Sequence, residues 1–261
     1  MFLNEAFHQF FKNNGFVKFP LLNEVELDRL RALYEKTKKD SGLDEKLFFT
    51  SIWSDSQKYR ESVDQELKLI LEPALQRELS NFQSVFANFM VKNQGDDSQL
   101  NPHQDWSFVD EEQYDSITVW IPLCDVTKMN GALEVYRKSH RMENYIRARF
   151  QNNPFQTQMQ DIALNRMESI SMKTGEVLFV NSRTIHGSPP NLSNSQRVVA
   201  SIVIAPKAAT LLHFVQDQED KNQAYKLEVD PRFYVNYSCF DYPEMDKQGV
   251  KVKLSLEEVT F

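Results

Sequence analysis

Apolar residues in the first third of the chain recur at helical spacing. Leu27, Leu30 and Tyr34 lie three and four positions apart behind Asn23, a side chain suited to cap a first turn, and Glu26 stands three residues on to return the cap. Gly42 marks the end of that helix. Leu67, Ile70, Leu71, Leu75 and Leu79 repeat the stripe. Pro73 inside it predicts a kink or the start of a second helix, because proline lacks the backbone donor and crowds the preceding turn. Before Asn23, Gly15-Phe16-Val17-Lys18-Phe19-Pro20 has the bulk of a short edge strand.

Beyond Phe82 the period shortens. Runs rich in β-branched and aromatic residues, bounded by turn residues, predict strands at 84–91, 117–124, 132–136, 169–172, 177–181, 198–205 and 233–240. One helical insertion is expected at 143–151, after Ser139. Strands that follow one another with so little helix between them point to a sandwich or jelly roll rather than alternating βαβ units. With no repeat or low-complexity linker, we expect a single domain over 1–261: a helical part to about 82, a β core at about 83–206 and a C-terminal extension at about 207–261.

Composition narrows the partners. A chain of 261 residues, 41% hydrophobic and 26% charged, can bury a sizeable core, which excludes a disordered or collagen-like protein. Thirty Lys and Arg against 37 Asp and Glu give a formal charge of −7, a field that repels phosphate backbones and anionic lipid in the absence of any basic stripe. Neither nucleic acid nor a membrane is therefore an expected partner. The longest apolar stretch, about 198–206, is half the ~18 residues of a membrane span. No secretory signal is evident, so the expectation is a soluble, cytoplasmic protein. Cys124 and Cys239, in apolar surroundings, fit reduced thiols there. Nothing in the pattern sets an oligomeric state.

The densest polar signal is Asn101-Pro102-His103-Gln104-Asp105-Trp106. In extended backbone His103 and Asp105 point to one side and can grip one ion. A third, distant imidazole would complete the two-His-one-carboxylate triad of non-haem Fe(II) oxygenases. His186, just past the apolar run 177–181, is available. Arg197 leads into the apolar strand 198–205, where an inward guanidinium needs an anion, and a substrate carboxylate matches its bidentate fork. Among the remaining residues, His8 and His213 read as surface or packing residues and His140 as a structural hydrogen-bonding residue. Asp110-Glu111-Glu112 reads as a solvated acidic loop. Trp106 and Phe108 are open between substrate contact and core, and Arg183 between anion binding and solvent.

His103-x-Asp105, distal His186 and Arg197 eleven positions later resemble the phytanoyl-CoA dioxygenase family of Fe(II)- and 2-oxoglutarate-dependent oxygenases. The resemblance runs from Asn14-Gly15-Phe16-Val17 through His103-Gln104-Asp105-Trp106, Gly131-Ala132-Leu133 and Ser139-His140 to Gly175-Glu176-Val177-Leu178-Phe179 and His186-Gly187-Ser188-x-x-Asn191, about four-fifths of the chain. Where relatives often carry Pro-Gly-Ser-His, this chain reads Arg137-Lys138-Ser139-His140. The resemblance implies a mainly β fold, a double-stranded β-helix of the jelly-roll, cupin-like kind with N-terminal helices packed on the outside. It implies iron held by His103, Asp105 and His186, and the distal carboxylate of 2-oxoglutarate on Arg197 with Ser188 as hydroxyl partner. Gln104, Thr118, Trp120 and, more remotely, Asn88 match positions that line the cosubstrate pocket. The reaction implied uses dioxygen, releases succinate and CO2, and hydroxylates a C–H bond of a small molecule; related halogenases lack the carboxylate that Asp105 supplies.

Other readings stay open on the sequence: a catalytically silent jelly roll that binds a ligand, a cupin-like metalloenzyme without cosubstrate, or a demethylase, which the acidic charge disfavours for nucleic acid. A small polar or amphipathic metabolite ranks above a CoA thioester as substrate. The outer wall of the pocket is expected from residues 41–62, the 105–115 loop and the C-terminal segment.

Overall fold

The computed structural model describes residues 1–42, 46–142, 144–152, 157–237, 240–242 and 250–254. Three helices, α1 (Glu5–Asn14), α2 (Glu24–Thr37) and α3 (Gln57–Leu75), precede or interleave with the first strands. The strands are β1 (Phe16–Pro20), β2 (Phe48–Thr50), β3 (Phe82–Lys92), β4 (Leu100–His103), β5 (Ile117–Pro122), β6 (Glu134–Val135), β7 (Glu168–Ser169), β8 (Glu176–Asn181), β9 (His186–Ser188), β10 (Arg197–Pro206), β11 (Leu212–Gln216), β12 (Gln223–Glu228) and β13 (Val250–Lys253). A six-stranded sheet in the order β1-β8-β5-β10-β3-β2 faces a four-stranded sheet, β4-β9-β6-β7, and all their pairings are antiparallel. β11, β12 and β13 form a third sheet.

Period-two alternation divides the large sheet into two faces. Ile117, Val119 and Ile121 of β5, Val177 and Phe179 of β8, and Ala200, Ile202 and Ile204 of β10 join Leu27, Leu30, Val63, Leu67 and Leu71 of α2 and α3 in one buried cluster. The helices thus cover the outer face. Trp120, Leu178, Val180 and Val199 face the other way, toward Leu133 and Val135 beside the small sheet. This strand-rich fold with external N-terminal helices is the expected one, and β1 is at the sheet edge as its sequence predicts.

Local chemistry explains the boundaries. Asn23 Oδ1 accepts from the Glu26 amide and Glu26 Oε2 from the Asn23 amide, each at 3.0 Å, which closes the cap on α2. α3 continues through Pro73 instead of breaking. Pro73 lies in its last turn, where the lost bond concerns only Leu69, a residue 66% exposed on the solvent face.

Two expected elements are corrected. Residues 144–152 do not form a helix, and Glu143 lies outside the described residues; the helical turn that precedes the segment is Ser139–Arg141. The segment spends its backbone groups laterally: Ser107 donates to the Arg147 carbonyl, Arg149 to Phe214 and Gln216 to Arg149. The expected strand at 233–240 begins as a short helical turn, Phe233–Asn236. Asp230 Oδ1 accepts from the Arg232 amide across Pro231, a favourable helix start, and the Arg60 guanidinium holds the carbonyls of Val235 and Asn236 at 2.8 and 2.9 Å. Cys239 lies outside the described residues, while Cys124 is a free, half-buried thiol pushed up in pKa by burial. Among the described residues no helix is long and apolar enough to cross a membrane.

Candidate metal centre

β4 and β9 place His103 directly opposite His186. Their ring centroids are 4.4 Å apart, and His186 Nε2 is 3.6 Å from Asp105 Oδ1. One donor atom from each of His103, Asp105 and His186 falls within 4.8 Å of the others. His103 Nδ1 is 2.8 Å from the Asn101 carbonyl and His186 Nδ1 is 2.9 Å from the Thr184 carbonyl. A carbonyl oxygen only accepts, so each Nδ1 carries the proton and each Nε2 lone pair is free for a metal. Burial first, then the neighbouring His186, pushes the His103 pKa down to about 4, against the pull of Asp105, which keeps the ring neutral at neutral pH.

The supports of these groups reach far along the chain. Asp105 Oδ2 accepts from Thr118 Oγ1 at 2.6 Å, leaving Oδ1 toward the histidines. Thr184, whose carbonyl orients His186, donates its hydroxyl to the Gly15 carbonyl at 2.9 Å. Gly15 ends α1 in the left-handed region, φ +84°, and a Cβ there would fall 2.4 Å from Thr184 Oγ1 and 2.5 Å from His140 Nδ1. The Asn14-Gly15 motif therefore buttresses the distal ligand. His140 is structural as expected, with Nε2 3.0 Å from the Lys12 carbonyl. Lys138 takes the left-handed position, φ +69°, and the turn presents Ser139 Oγ to the Ile185 amide at 2.8 Å.

A cavity of about 140 Å³ opens beside the triad. Thr118, Trp120, Ser188 and Arg197 line it together with Phe48, Trp53, Met90 and Leu100. Arg197 is 2% exposed, donates through Nη1 to the Gly131 carbonyl at 2.9 Å, and places its guanidinium 5.2 Å from the Trp120 ring. Among the described residues no carboxylate pairs with it. Two expected pocket residues stand elsewhere. Gln104 has both ends of its amide taken, by the Arg183 carbonyl and the Tyr145 hydroxyl. Asn88 is buried on β3 outside the cavity wall, and its Oδ1 has no partner among the described residues.

Trp106 and Phe108 prove to be packing residues: Phe108 lies among Phe86 and Tyr234, and Trp106 meets the buried His213 edge-on. Arg183 donates to the Met142 carbonyl. The reading of 110–112 as a solvated acidic loop is corrected at Glu111, whose side chain is buried and paired with buried Arg147. Sequence reasoning also missed Lys92, fully buried and directly across from Arg197 on the neighbouring strand. Its signal was the strand period itself, since Asn88, Met90 and Lys92 alternate onto the inner face of β3.

A profile of the phytanoyl-CoA dioxygenase (PhyH) family matches residues 11–199, well over half of the chain. The chain belongs to this family. It is thus a member of a 2-oxoglutarate-dependent non-haem iron oxygenase family that carries the His103, Asp105 and His186 triad. A phytanoyl-CoA dioxygenase of Arabidopsis thaliana is 30% identical over 117 residues, 44% of this chain and 41% of that protein, so the match spans less than half of the relative. Solved structures of similar fold include the 2-oxoglutarate-dependent carbocyclase SnoK from nogalamycin biosynthesis, with TM-score 0.56 and 20% identity over 80% of this chain and 86% of that one. HygX from Streptomyces hygroscopicus, with nickel and 2-oxoglutarate bound, gives TM-score 0.57 and 15% identity over 80% and 89%. EvdO2 from Micromonospora carbonacea var. aurantiaca, complexed with 2-oxoglutarate, gives 0.58 and 16% over 80% and 93%.

Proposed function

We propose that this PhyH-family protein is an Fe(II)- and 2-oxoglutarate-dependent dioxygenase that hydroxylates a C–H bond of a small-molecule metabolite, releasing succinate and CO2. The observation that carries the reading is the coincidence, on one cavity, of two free imidazole Nε2 atoms, the Asp105 carboxylate and the carboxylate-free guanidinium of Arg197. The donor set fits iron: two neutral imidazoles and one carboxylate are the ligand types that a non-haem iron would take from the protein here. Iron with 2-oxoglutarate supplies the oxidising chemistry.

The chain's own residues position and exclude. His103, Asp105 and His186 would hold the metal, Thr118 would fix the carboxylate rotamer, and Arg197 with Ser188 would receive the distal carboxylate of 2-oxoglutarate. Asp105 would supply the carboxylate ligand that related halogenases lack, which supports hydroxyl rather than halogen transfer. The apolar lining from Phe48, Trp53, Met90 and Leu100 supports an amphipathic substrate. Structural relatives have been captured with small natural products, HygX with hygromycin B and SnoN with nogalamycin RO, which agrees with a metabolite as substrate.

The test is succinate formation from 2-oxoglutarate in air with added Fe(II). The parent is expected to form it slowly without substrate and faster with a matching metabolite. Arg197→Ala is expected to raise KM for 2-oxoglutarate by about 10–100-fold, the range of a lost charge-assisted hydrogen bond. Unchanged KM in that variant would take Arg197 out of the cosubstrate site, and a parent that forms no succinate from 2-oxoglutarate would return the site to a metalloenzyme that uses no cosubstrate.

A further inference from the structure

β3 sets Asn88, Met90 and Lys92 opposite Ser201, Val199 and Arg197 of β10. Two cations therefore occupy adjacent positions in the interior, Lys92 at 0% and Arg197 at 2% exposure. Neither has a carboxylate within ion-pair distance among the described residues. Burying two like charges side by side is costly unless an anion arrives between or beside them. Gly131 serves both: its carbonyl accepts from Arg197 Nη1, and a Cβ on it would fall 2.7 Å from Lys92 Cδ, so the lysine stem runs through the space a side chain would fill.

Lys92 does not line the cavity; Ser188 does. Lys92 Nζ lies 2.6 Å from Ser188 Oγ, 2.6 Å from the Pro189 carbonyl and 3.3 Å from the Ser188 carbonyl. The direction of the bond to Ser188 Oγ depends on the proton at Nζ. A neutral amine has a lone pair to accept the serine O–H, whereas an ammonium only donates, so Ser188 Oγ must then accept and its own O–H is released to the cavity.

We propose that Lys92 is a positioning residue for the cosubstrate: protonated, it turns the Ser188 hydroxyl toward the distal carboxylate beside Arg197, and the dianion is bound with uptake of a proton at Nζ. The inference rests on the reading of this cavity as the 2-oxoglutarate site. The surroundings favour a neutral amine before the anion arrives. Burial, then the charge of Arg197 from β10, pushes the Lys92 pKa down to about 6. Glu134 from β6 opposes this, and it is shared with Lys128 at 3.8 Å. The other groups against the ammonium are uncharged: Ser188 and Pro189, and the Phe48 ring of β2 at 5.7 Å.

The experiment is calorimetric titration of 2-oxoglutarate into the full-length protein loaded with Zn(II), a redox-inert probe, in buffers of differing ionisation enthalpy. At pH 7.5 the parent is expected to take up close to one proton per 2-oxoglutarate, declining toward none at pH 5.5, where Lys92 is already protonated. Lys92→Met is expected to lose that uptake and to bind 2-oxoglutarate about 10–100-fold more weakly with unchanged zinc affinity. Ser188→Ala is expected to weaken binding while keeping the uptake, and it reads the same device if the lysine variant does not fold. Binding by the parent without proton uptake, or uptake that survives Lys92→Met, overturns the inference and leaves the cosubstrate site standing. Absence of any 2-oxoglutarate binding by the metal-loaded parent overturns the cosubstrate reading and the role of Lys92 with it.

Discussion

Thr118→Val isolates the contribution of a single hydrogen bond to the metal centre. Thr118 Oγ1 donates to Asp105 Oδ2 at 2.6 Å, and β5 is held on both sides, with Thr118 across from Val180 of β8 and Val203 of β10. Valine keeps the shape and suits a strand, so the sheet is expected to survive while the carboxylate loses its fixed rotamer. Partners of this kind are worth about 10–100-fold in metal affinity, or roughly 1.4–2.8 kcal/mol. The Asp105 side chain is 22% exposed, so water can replace part of the lost bond, and the lower end, about tenfold, is expected. The assay is anaerobic competitive titration of metal-free protein with Fe(II) or Mn(II), with thermal unfolding as a control for the fold and Thr118→Ser as the rescue. Affinity of the valine variant within twofold of the parent would refute the claim that this bond orients Asp105.

Further expected outcomes follow from neighbouring contacts. Gly187→Ala places a Cβ 2.7 Å from the Leu100 carbonyl, which must push β4 off β9 and part His103 from His186; metal affinity should fall by more than the Thr118→Val loss, as read in the same titration. Glu111→Gln leaves Arg147 buried without its counter-ion and is expected to cost about 3 kcal/mol in denaturant unfolding, the lower end for a broken buried pair because the amide still accepts one hydrogen bond. His213 is held neutral, pushed down to about 4 by burial and then by Arg149, while the unfolded chain protonates it near pH 6.5. Its contribution is therefore complete above pH 6.5, falls by ~1.4 kcal/mol per pH unit toward pH 4 and then levels. Melting of metal-free protein at pH 7.5, 6 and 5 should show a shallower decline for His213→Phe than for the parent.

What the sequence made legible was whatever repeats on a fixed period or depends on nearest neighbours. The stripes of α2 and α3, the Asn23 cap and the runs that became β3, β5, β8 and β10 are of this kind. His103, Asp105 and His186 stood out because ligand chemistry restricts residue type and spacing. The failures share another cause. Residues 144–152 have helical composition, but their backbone is claimed by Ser107 and Phe214, partners distant in sequence. The turn at Phe233–Asn236 is capped by Arg60, 175 and 176 residues away from the carbonyls it holds. β11 and β12 were not anticipated, although β11 is buried throughout, since a short Leu-His-Phe-Val-Gln run needs its antiparallel partner to identify it. The family resemblance puts Gln104 at the cosubstrate pocket, whereas its side chain bonds to the Arg183 carbonyl and the Tyr145 hydroxyl, partners distant in sequence.

The central claim is that His103, Asp105, His186 and Arg197 form one site for iron and 2-oxoglutarate. Its most direct measurement is anaerobic addition of Fe(II) and then 2-oxoglutarate to metal-free protein, followed by visible absorption for a metal-to-ligand charge-transfer band. The expected result is a band in the parent that is lost in His186→Ala and needs more 2-oxoglutarate in Arg197→Ala. A folded parent containing reduced iron that gives no band with excess 2-oxoglutarate would contradict the claim.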